Sequence, residues 1–300
     1  MPRKLAADEL NSPEHRRKVA KWQSPAIWVC SLMAFGMGLY TVQLWISLNR
    51  EQPERNLPDD LIDRFDRNAE GYDDEVNRQE WLMGLHKRRK EMTEKAHGHV
   101  LEVSVGTGRN FEYYPIKNCD TVTFLDASGP MLAIAKRKWK EWQPDYFGRV
   151  VLKKQSALDP ITPPYGAADG YDTVLQTMGL CSTPEPVRLL RNLESVTKAD
   201  GQILLLEHGK SHYDWLNSLL DKTAAAHADH HGCWWNKDIG KIVEESGLEV
   251  VNMKRYNFGT TWWVELRPRA KVQQRKEVET AKGTAPAFPV AEKPWWYLWK

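Results

Sequence analysis

From Trp22 to Asn49 the chain carries no Asp, Glu, Lys or Arg, and Lys21 and Arg50 close the run at either end. A helix built from this run has no charged face to give to water. Its apolar body, Pro25 to Leu48, is 24 residues long. As helix that is about 36 Å at ~1.5 Å per residue, against a hydrocarbon core of ~30 Å. Trp22, Trp28, Tyr40 and Trp45 sit near its ends, where amphipathic rings favour the headgroup region. Pro25 suits a first helical turn. A secretory signal peptide would have a shorter apolar core and a small-residue cleavage site, neither of which is evident. A buried soluble helix of this length would be unusual. The run reads as a single transmembrane helix over residues 24–49.

The remainder is a folded, water-soluble chain. Mean hydropathy is −0.60 and hydrophobic residues are 41%, which excludes both a polytopic membrane protein and wholesale disorder. Forty-two basic against forty acidic residues give a net charge of +2, so no global basic field argues for nucleic acid. The four cysteines, at 30, 119, 181 and 233, form neither a CxxC pair nor a disulfide framework. Residues 1–21 hold six basic and three acidic groups, whereas Arg50 to Asp60 is acidic on balance. The positive-inside bias keeps the N-terminus on the side of synthesis or matrix and sends the large domain to the other side.

The expected divisions are a basic tail (1–23), the span (24–49), a linker with N-terminal helices (50–98), a folded domain (99–267) and a C-terminal tail (268–300). Leu61 to Lys95 is charged and helix-patterned. Strand candidates follow at 99–103, 121–126, 149–154, 171–178, 202–208, 248–253 and 260–266, with helix-like segments at 130–142, 184–198 and 236–247. The alternation predicts an α/β domain with a mainly parallel sheet. The loop at Asn257 to Gly259 is too short for a helical crossover, so the last two strands should be antiparallel. The tail is charged and rich in Ala, Pro and Gly, and it ends in Trp295, Trp296, Tyr297, Leu298 and Trp299.

The chemistry begins at Val100–Asn110, VLEVSVGTGRN. An apolar strand runs into Gly106-x-Gly108 before a helix candidate. Glycines there let a bound cofactor approach the backbone, and the helix start offers N–H donors. Asp126 ends the second strand, placed to accept both hydroxyls of a ribose. A dinucleotide fingerprint would put a third glycine at 111, where this chain has Phe111. Instead Glu102 stands inside the strand end, two residues before Ser104.

These residues resemble the class I S-adenosylmethionine-dependent methyltransferases, from roughly residue 60 to 267. LEVSVGTG resembles their first motif with Ser104 at the usual first glycine. LDASGPML, QSAL and YDTVLQTMGLCS are similar to the following ones, and Lys198-Ala199-Asp200-Gly201 stands where a Lys-Pro-Gly-Gly turn is usual. LLLEHG and HGCWWN, with the N-terminal span, resemble two branches more closely: a fungal family of mitochondrial inner-membrane methyltransferase-like proteins and the animal methyltransferase-like protein 7. The ubiquinone-biosynthesis C-methyltransferases are more distant. The resemblance implies a Rossmann-like, seven-stranded sheet with its last strand antiparallel, and S-adenosylmethionine as cofactor. It implies that Glu102 faces the methionine ammonium and that Ser104, Gly106, Thr107, Gly108 and Asn110 form the cofactor loop. Asp126 would hold the ribose, Ala127 and Met131 would flank the adenine, and Ser156 and Ala157 would meet its amino edge. Gln176 would lie near the methyl, under a lid carrying Tyr72. For Met131 and Ala157 ordinary core packing is an equal reading.

His227-Ala-Asp-His-His-Gly-Cys233 invites a metal reading through His227 and His231. Gly232 is expected to break a helix there, and no second ligand cluster is evident, so a solvated or substrate-facing loop is preferred and no metal is assigned. The run His86–Lys90 reads as a solvated helix face or a contact with anionic headgroups rather than a nucleic-acid patch. The resulting expectation is a membrane-anchored methyltransferase of the mitochondrial inner membrane, its domain facing the intermembrane space. It acts on a small lipophilic acceptor, quinone-like, phenol or thiol. His208 is the first candidate for general base, followed by His227, His230 and His231, and a structural role for His208 is weighed beside it. A non-catalytic assembly or scaffold factor is the alternative, with the aromatic end as a contact for a membrane partner; an RNA methyltransferase is disfavoured by the charge balance.

Overall fold

The structure is a computed structural model and describes residues 12–49 and 56–269. The basic tail before Ser12 and the aromatic end at Trp295–Trp299 lie outside the described residues. The rest divides into two units, a long helix and an α/β domain.

The long helix, α1, is Pro13–Asn49. The sequence reading starts it near Pro25, but the charged segment before Pro25 is helical too. Its start is set by Ser12, whose Oγ accepts from the backbone N–H of His15 at 3.1 Å, with Pro13 in the first turn. Helix formers such as Glu14, Arg16, Arg17 and Ala20 then carry it forward. Across residues 25–43 every side chain is exposed.

The domain is a seven-stranded sheet in the order β3-β2-β1-β4-β5-β7-β6. The strands are β1 (Gly98–Val103), β2 (Cys119–Asp126), β3 (Val150–Lys154), β4 (Tyr171–Thr177), β5 (Thr197–His208), β6 (Glu249–Tyr256) and β7 (Thr261–Arg267). Neighbours from β3 to β5 pair in parallel, and β7 pairs antiparallel with both β5 and β6. The short β6–β7 connection therefore does what its length dictates, with Asn257, Phe258 and Gly259 all at positive φ. Strand order reverses between β1 and β4, which opens a crevice beyond their carboxyl ends.

The strands read as apolar runs because both faces are covered. Leu101, Val103, Ile203, Leu205, Val264 and Leu266 pack on α6 (Pro186–Val196) and α8 (Ile239–Ser246). Val100, Phe124, Leu204, Leu206 and Trp263 face the other way, towards Met92 of α4 (Leu85–Thr93) and Trp139 of α5 (Gly129–Trp142). On that side Phe111, Phe124 and Trp139 meet with ring centroids 4.6–4.9 Å apart. Gly108, at φ +83°, lies so close to Phe111 that a Cβ there would be 2.2 Å from the ring. Its glycine is required by the packing of Phe111.

The stretch expected to be helical over 61–95 is three helices: α2 (Ile62–Asn68), α3 (Tyr72–Leu82) and α4. Gly84, at φ +64°, turns the chain between the last two. The basic run on α4 is not uniformly solvated, as the sequence reading has it. Arg89 is buried: its guanidinium grips Glu80 of α3 at 2.7 and 3.1 Å, and donates to Asn110 at 3.1 Å and Thr177 at 2.9 Å. Arg88 lies 3.8 Å over the Tyr256 ring. Burial alone would raise the Glu80 pKa, but Arg89 and Arg109 more than reverse this and hold it below its ordinary value.

Two predictions follow from these contacts. Glu80→Gln leaves a buried guanidinium without its countercharge and should cost about 3–5 kcal/mol in urea unfolding. Because the folded-state pKa of Glu80 is depressed, its contribution is present above the unfolded value of 4.5 and is lost as pH falls through the folded one. The wild-type stability should therefore drop more steeply on acidification than that of Glu80→Gln; parallel acid limbs would refute the assignment. Ser104, immediately after β1, holds φ +54°. A left-handed residue with a side chain costs roughly 1–2 kcal/mol, and glycine returns roughly 0.5–1 kcal/mol of chain entropy to the unfolded state. Ser104→Gly should thus stabilise the domain by about 0.5–1 kcal/mol, read as a melting temperature higher by about 1–4 °C.

Candidate active site

β2 ends in Asp126, and the backbone beyond it is folded around that carboxylate. One oxygen accepts from the N–H of Gly106 at 2.7 Å and the other from the N–H of Ser128 at 2.8 Å. Ser128 is in turn the N-cap of α5, accepting from Met131 at 3.2 Å, and its hydroxyl donates to Asp66 at 2.5 Å. One carboxylate thus fixes the glycine loop, the start of α5 and the floor of a cleft. Each of its oxygens keeps a lone pair for a ligand hydroxyl. Burial pushes the Asp126 pKa up, and the backbone N–H groups only partly offset this.

The cleft has a volume of about 520 Å³, within the usual span of roughly 300–1,000 Å³ for a small-molecule site. Of the residues carried over from the family resemblance, Tyr72, Ser104, Gly106, Thr107, Asp126, Ala127, Met131, Ser156 and Ala157 line it. Met131 and Ala157 also belong to hydrophobic clusters, so the two readings of them coexist. Glu102, Gly108, Asn110 and Gln176 do not line the cleft. Glu102 is buried behind it, accepting from Asn110 at 2.8 Å and from the Tyr114 hydroxyl at 2.5 Å; desolvation raises its pKa to about 7 despite these bonds.

Gln176 is fully buried and both polar atoms of its amide lack a partner. A Cβ on Gly179 would meet that amide at 2.5 Å and the Ser104 hydroxyl at 2.7 Å, so the amide lies directly against two cleft residues. An orphaned amide beside the cleft, a carboxylate at the end of β2 and a loop free of side chains at Gly106 are the groups that an amino acid joined to a nucleoside needs. The residues fit S-adenosylmethionine.

Two residues at the cleft, Asp73 behind its glycine loop and Arg89 in its wall, have no signature in the local sequence. Asp73 of α3 accepts from Thr107 at 2.6 Å and from Arg109 at 3.0 Å and also pairs with Lys138, pinning the glycine loop to α3 and α5. Arg89, hidden in a basic run, lines the cleft. Only the fold brings these residues to the loop.

Past the end of β4, Glu207 is buried and accepts from the N–H groups of Gly179 and Leu180 at 3.0 and 3.1 Å, holding the turn there. The histidine-rich segment is not the loop that the sequence reading prefers. His227, His230 and His231 occupy the end of α7 (Asp214–His231), and Gly232, at φ +77°, caps that helix by donating to Ala228 at 2.9 Å. His231 contacts Glu75 at 3.0 Å, with His230 at 3.6 Å from the same oxygen. His227 faces another way, stacked on Trp235 at 3.8 Å with its Nε2 3.3 Å from the Cys233 sulfur. Its ring is 6.2 Å from that of His208. None of the four histidines lines the cleft.

A methyltransferase domain family matches residues 68–253. Over 228 residues the chain is 36% identical to the mitochondrial methyltransferase OMS1 of Saccharomyces cerevisiae, covering 73% of this chain and 48% of that protein. It is 27% identical to the human thiol S-methyltransferase TMT1A over 169 residues, 54% of this chain and 65% of the relative. The chain thus spans about half the length of the yeast protein and just under two thirds of the human one. Among solved structures, an O-methyltransferase family protein from Burkholderia thailandensis superposes with a TM-score of 0.52 at 18% identity, over 73% of this chain and 65% of that one, a likeness of fold. With the sheet order, the Asp126-centred cleft and the family match in agreement, the chain belongs to the class I S-adenosylmethionine-dependent methyltransferases.

Proposed function

We propose that this enzyme is anchored by α1 in the mitochondrial inner membrane and methylates a small, lipophilic acceptor, a quinone-like compound, a phenol or a thiol. The observation that carries the cofactor assignment is Asp126, which is buried at the switch-point cleft with both oxygens oriented by backbone N–H groups. The thiol-methylating human relative supports a thiol among the acceptors, and the mitochondrial yeast relative supports the organelle. The exposed apolar face of α1 supports the anchor. On this reading the tail before α1 stays in the matrix and the domain faces the intermembrane space. The aromatic end of the chain meets a membrane partner.

S-Adenosylmethionine supplies an electrophilic methyl group on a sulfonium sulfur. The chain's own contribution is to align the acceptor with that methyl and to let the acceptor proton leave. Asp126 would hold the ribose, the Gly106 backbone the amino-acid part, and Ala127 with Met131 the adenine. Among the four histidines proposed as base, His208 at the end of β5 comes first; the Glu75 beside His231 and His230 does not remove those two, since a carboxylate neighbour strengthens an imidazole base, and none of the four lines the cleft.

Asp126→Ala should weaken S-adenosylmethionine binding in calorimetry by at least about tenfold, since each hydrogen bond to a charged group is worth roughly 1.5–3 kcal/mol. Asp126→Asn, which preserves the shape, should show the same direction. Unchanged affinity in both variants would remove Asp126 from the site. For the anchor, carbonate extraction should leave the full chain in the membrane pellet. Protease added after rupture of the outer membrane alone should digest the domain; a protected domain would reverse the orientation.

A further inference from the structure

Beneath the turn that lines the acceptor end of the cleft, three elements far apart in sequence bring together soft, metal-binding side chains. Cys181 follows β4, His208 ends β5, and Cys233 follows α7. Their two sulfurs and an imidazole nitrogen all lie within 4.8 Å of one another. Cys181 and Cys233 are 1% and 9% exposed, so this is an interior cluster. His227 of α7 stands beside the cluster, its Nε2 3.3 Å from the Cys233 sulfur but not within 4.8 Å of all the other donors.

Two observations favour a ligand here, although the Cys181 thiol also donates to the Met178 carbonyl at 3.4 Å and His227 contacts Cys233. His208 Nε2 is buried and has no hydrogen-bond partner, although an unpaired buried nitrogen ordinarily costs about 1–3 kcal/mol. The His227 ring is fixed by its stack on Trp235, whose Nε1 donates to Leu220 at 3.1 Å, so its nitrogen is aimed before anything binds. The second group of possible ligands among the described residues, Glu75 with His230 and His231, is partly exposed and its members already pair with one another. It lacks these features.

We propose that Cys181, Cys233, His208 and His227 form a Cys2His2 site for a soft divalent cation, zinc in the first instance. Four donors at tetrahedral zinc stand roughly 3.3–3.8 Å apart, given bonds of ~2.0–2.3 Å. The three mutually close donors need to move inward by an ångström or less to reach that spacing. The burial of both cysteines makes this a closed, structural site rather than one that keeps a coordination position open. It ties the loop after β4 to β5 and α7. That loop contributes Met178, Gly179, Ser182 and Thr183 to the cleft wall, so the ion sets the shape of the acceptor end. In the metal-loaded chain His208 and His227 are ligands, and the acceptor proton leaves to solvent. The test of the site needs neither the cofactor nor an identified acceptor, and the site bears on the proposed function only by taking His208 and His227 out of the base role.

The test is metal binding by the full chain in detergent under a thiol-free reductant. Zinc content after dialysis should be one ion per chain. Titration with Co²⁺ alone should give the thiolate-to-cobalt charge-transfer band and the intense visible bands of a tetrahedral ion. Cys181→Ser and Cys233→Ser should each lose the charge-transfer intensity of one thiolate, and His208→Ala should weaken binding. His230→Ala and Asp126→Ala should leave the spectrum unchanged, the latter while losing S-adenosylmethionine. Should a cysteine variant fail to fold, the wild-type cobalt spectrum and stoichiometry decide alone. The proposal is overturned if the reduced wild-type chain retains no zinc and gives no charge-transfer band. It is equally overturned if both cysteine variants keep the full spectrum, or if mass mapping finds Cys181 and Cys233 joined as a disulfide in the isolated chain.

Discussion

The guanidinium of Arg89 is the group on which the cofactor end of this fold depends. A charge taken out of water is tolerated only when its donors are satisfied, and Arg89 makes four hydrogen bonds to three separate elements. Glu80 draws in α3, Asn110 fixes the end of the glycine loop, and Thr177 marks the end of β4. Asn110 relays the constraint further, donating both to Glu102 at 2.8 Å and to Thr177 at 3.3 Å. The helices before the sheet are thus part of the site. Without them the Asn110 side chain would lose its Arg89 donor and the glycine loop its tie to Asp73.

Backbone strain gathers where those constraints meet. Ser104 and Met178 both hold φ +54°, one just past β1 and the other just past β4. These are the two strands between which the sheet order reverses, and both residues line the cleft. Each chain must leave its strand abruptly to open a crevice there, and the turn after β4 is held in that shape by the carboxylate of Glu207. Hydrogen bonds to a buried acid are strong enough to hold a residue in a conformation costing roughly 1–3 kcal/mol.

What could be read in the sequence and what could not divides along range. The parallel strands were legible because a strand covered on both faces is an apolar run, and Asp126 was legible because its role follows from its place at a strand end. Family resemblance supplied the cleft residues from Tyr72 to Ala157. The basic run around Arg89 gave no sign that one of its members is buried, since its partners lie 9, 21 and 88 residues away. The sequence around Gly108 gives no sign that its glycine is also required by the packing of Phe111. Gly232 was read as breaking a helix that it instead caps, so the last turn of α7 was missed. Cys181 and His208 showed no ligand spacing because the sheet, not the local chain, places them beside Cys233.

Burial governs the charge state of the acids around the cleft. Desolvation raises the pKa of both Glu102 and Asp126, the former to about 7. A folded-state pKa above the unfolded one means that the empty site holds extra protons, and that ionising these acids costs stability as pH rises from the unfolded values. Positive charge or hydroxyl donors brought beside either carboxylate would shift that balance towards the ionised form. Sulfonium and ammonium groups are such charges. Glu102 does not touch the cleft, but its hydrogen bond to Asn110, held by Arg89, links its ionisation to the loop that does. The same burial that raises these two pKa values in the empty site therefore makes their ionisation sensitive to what fills it.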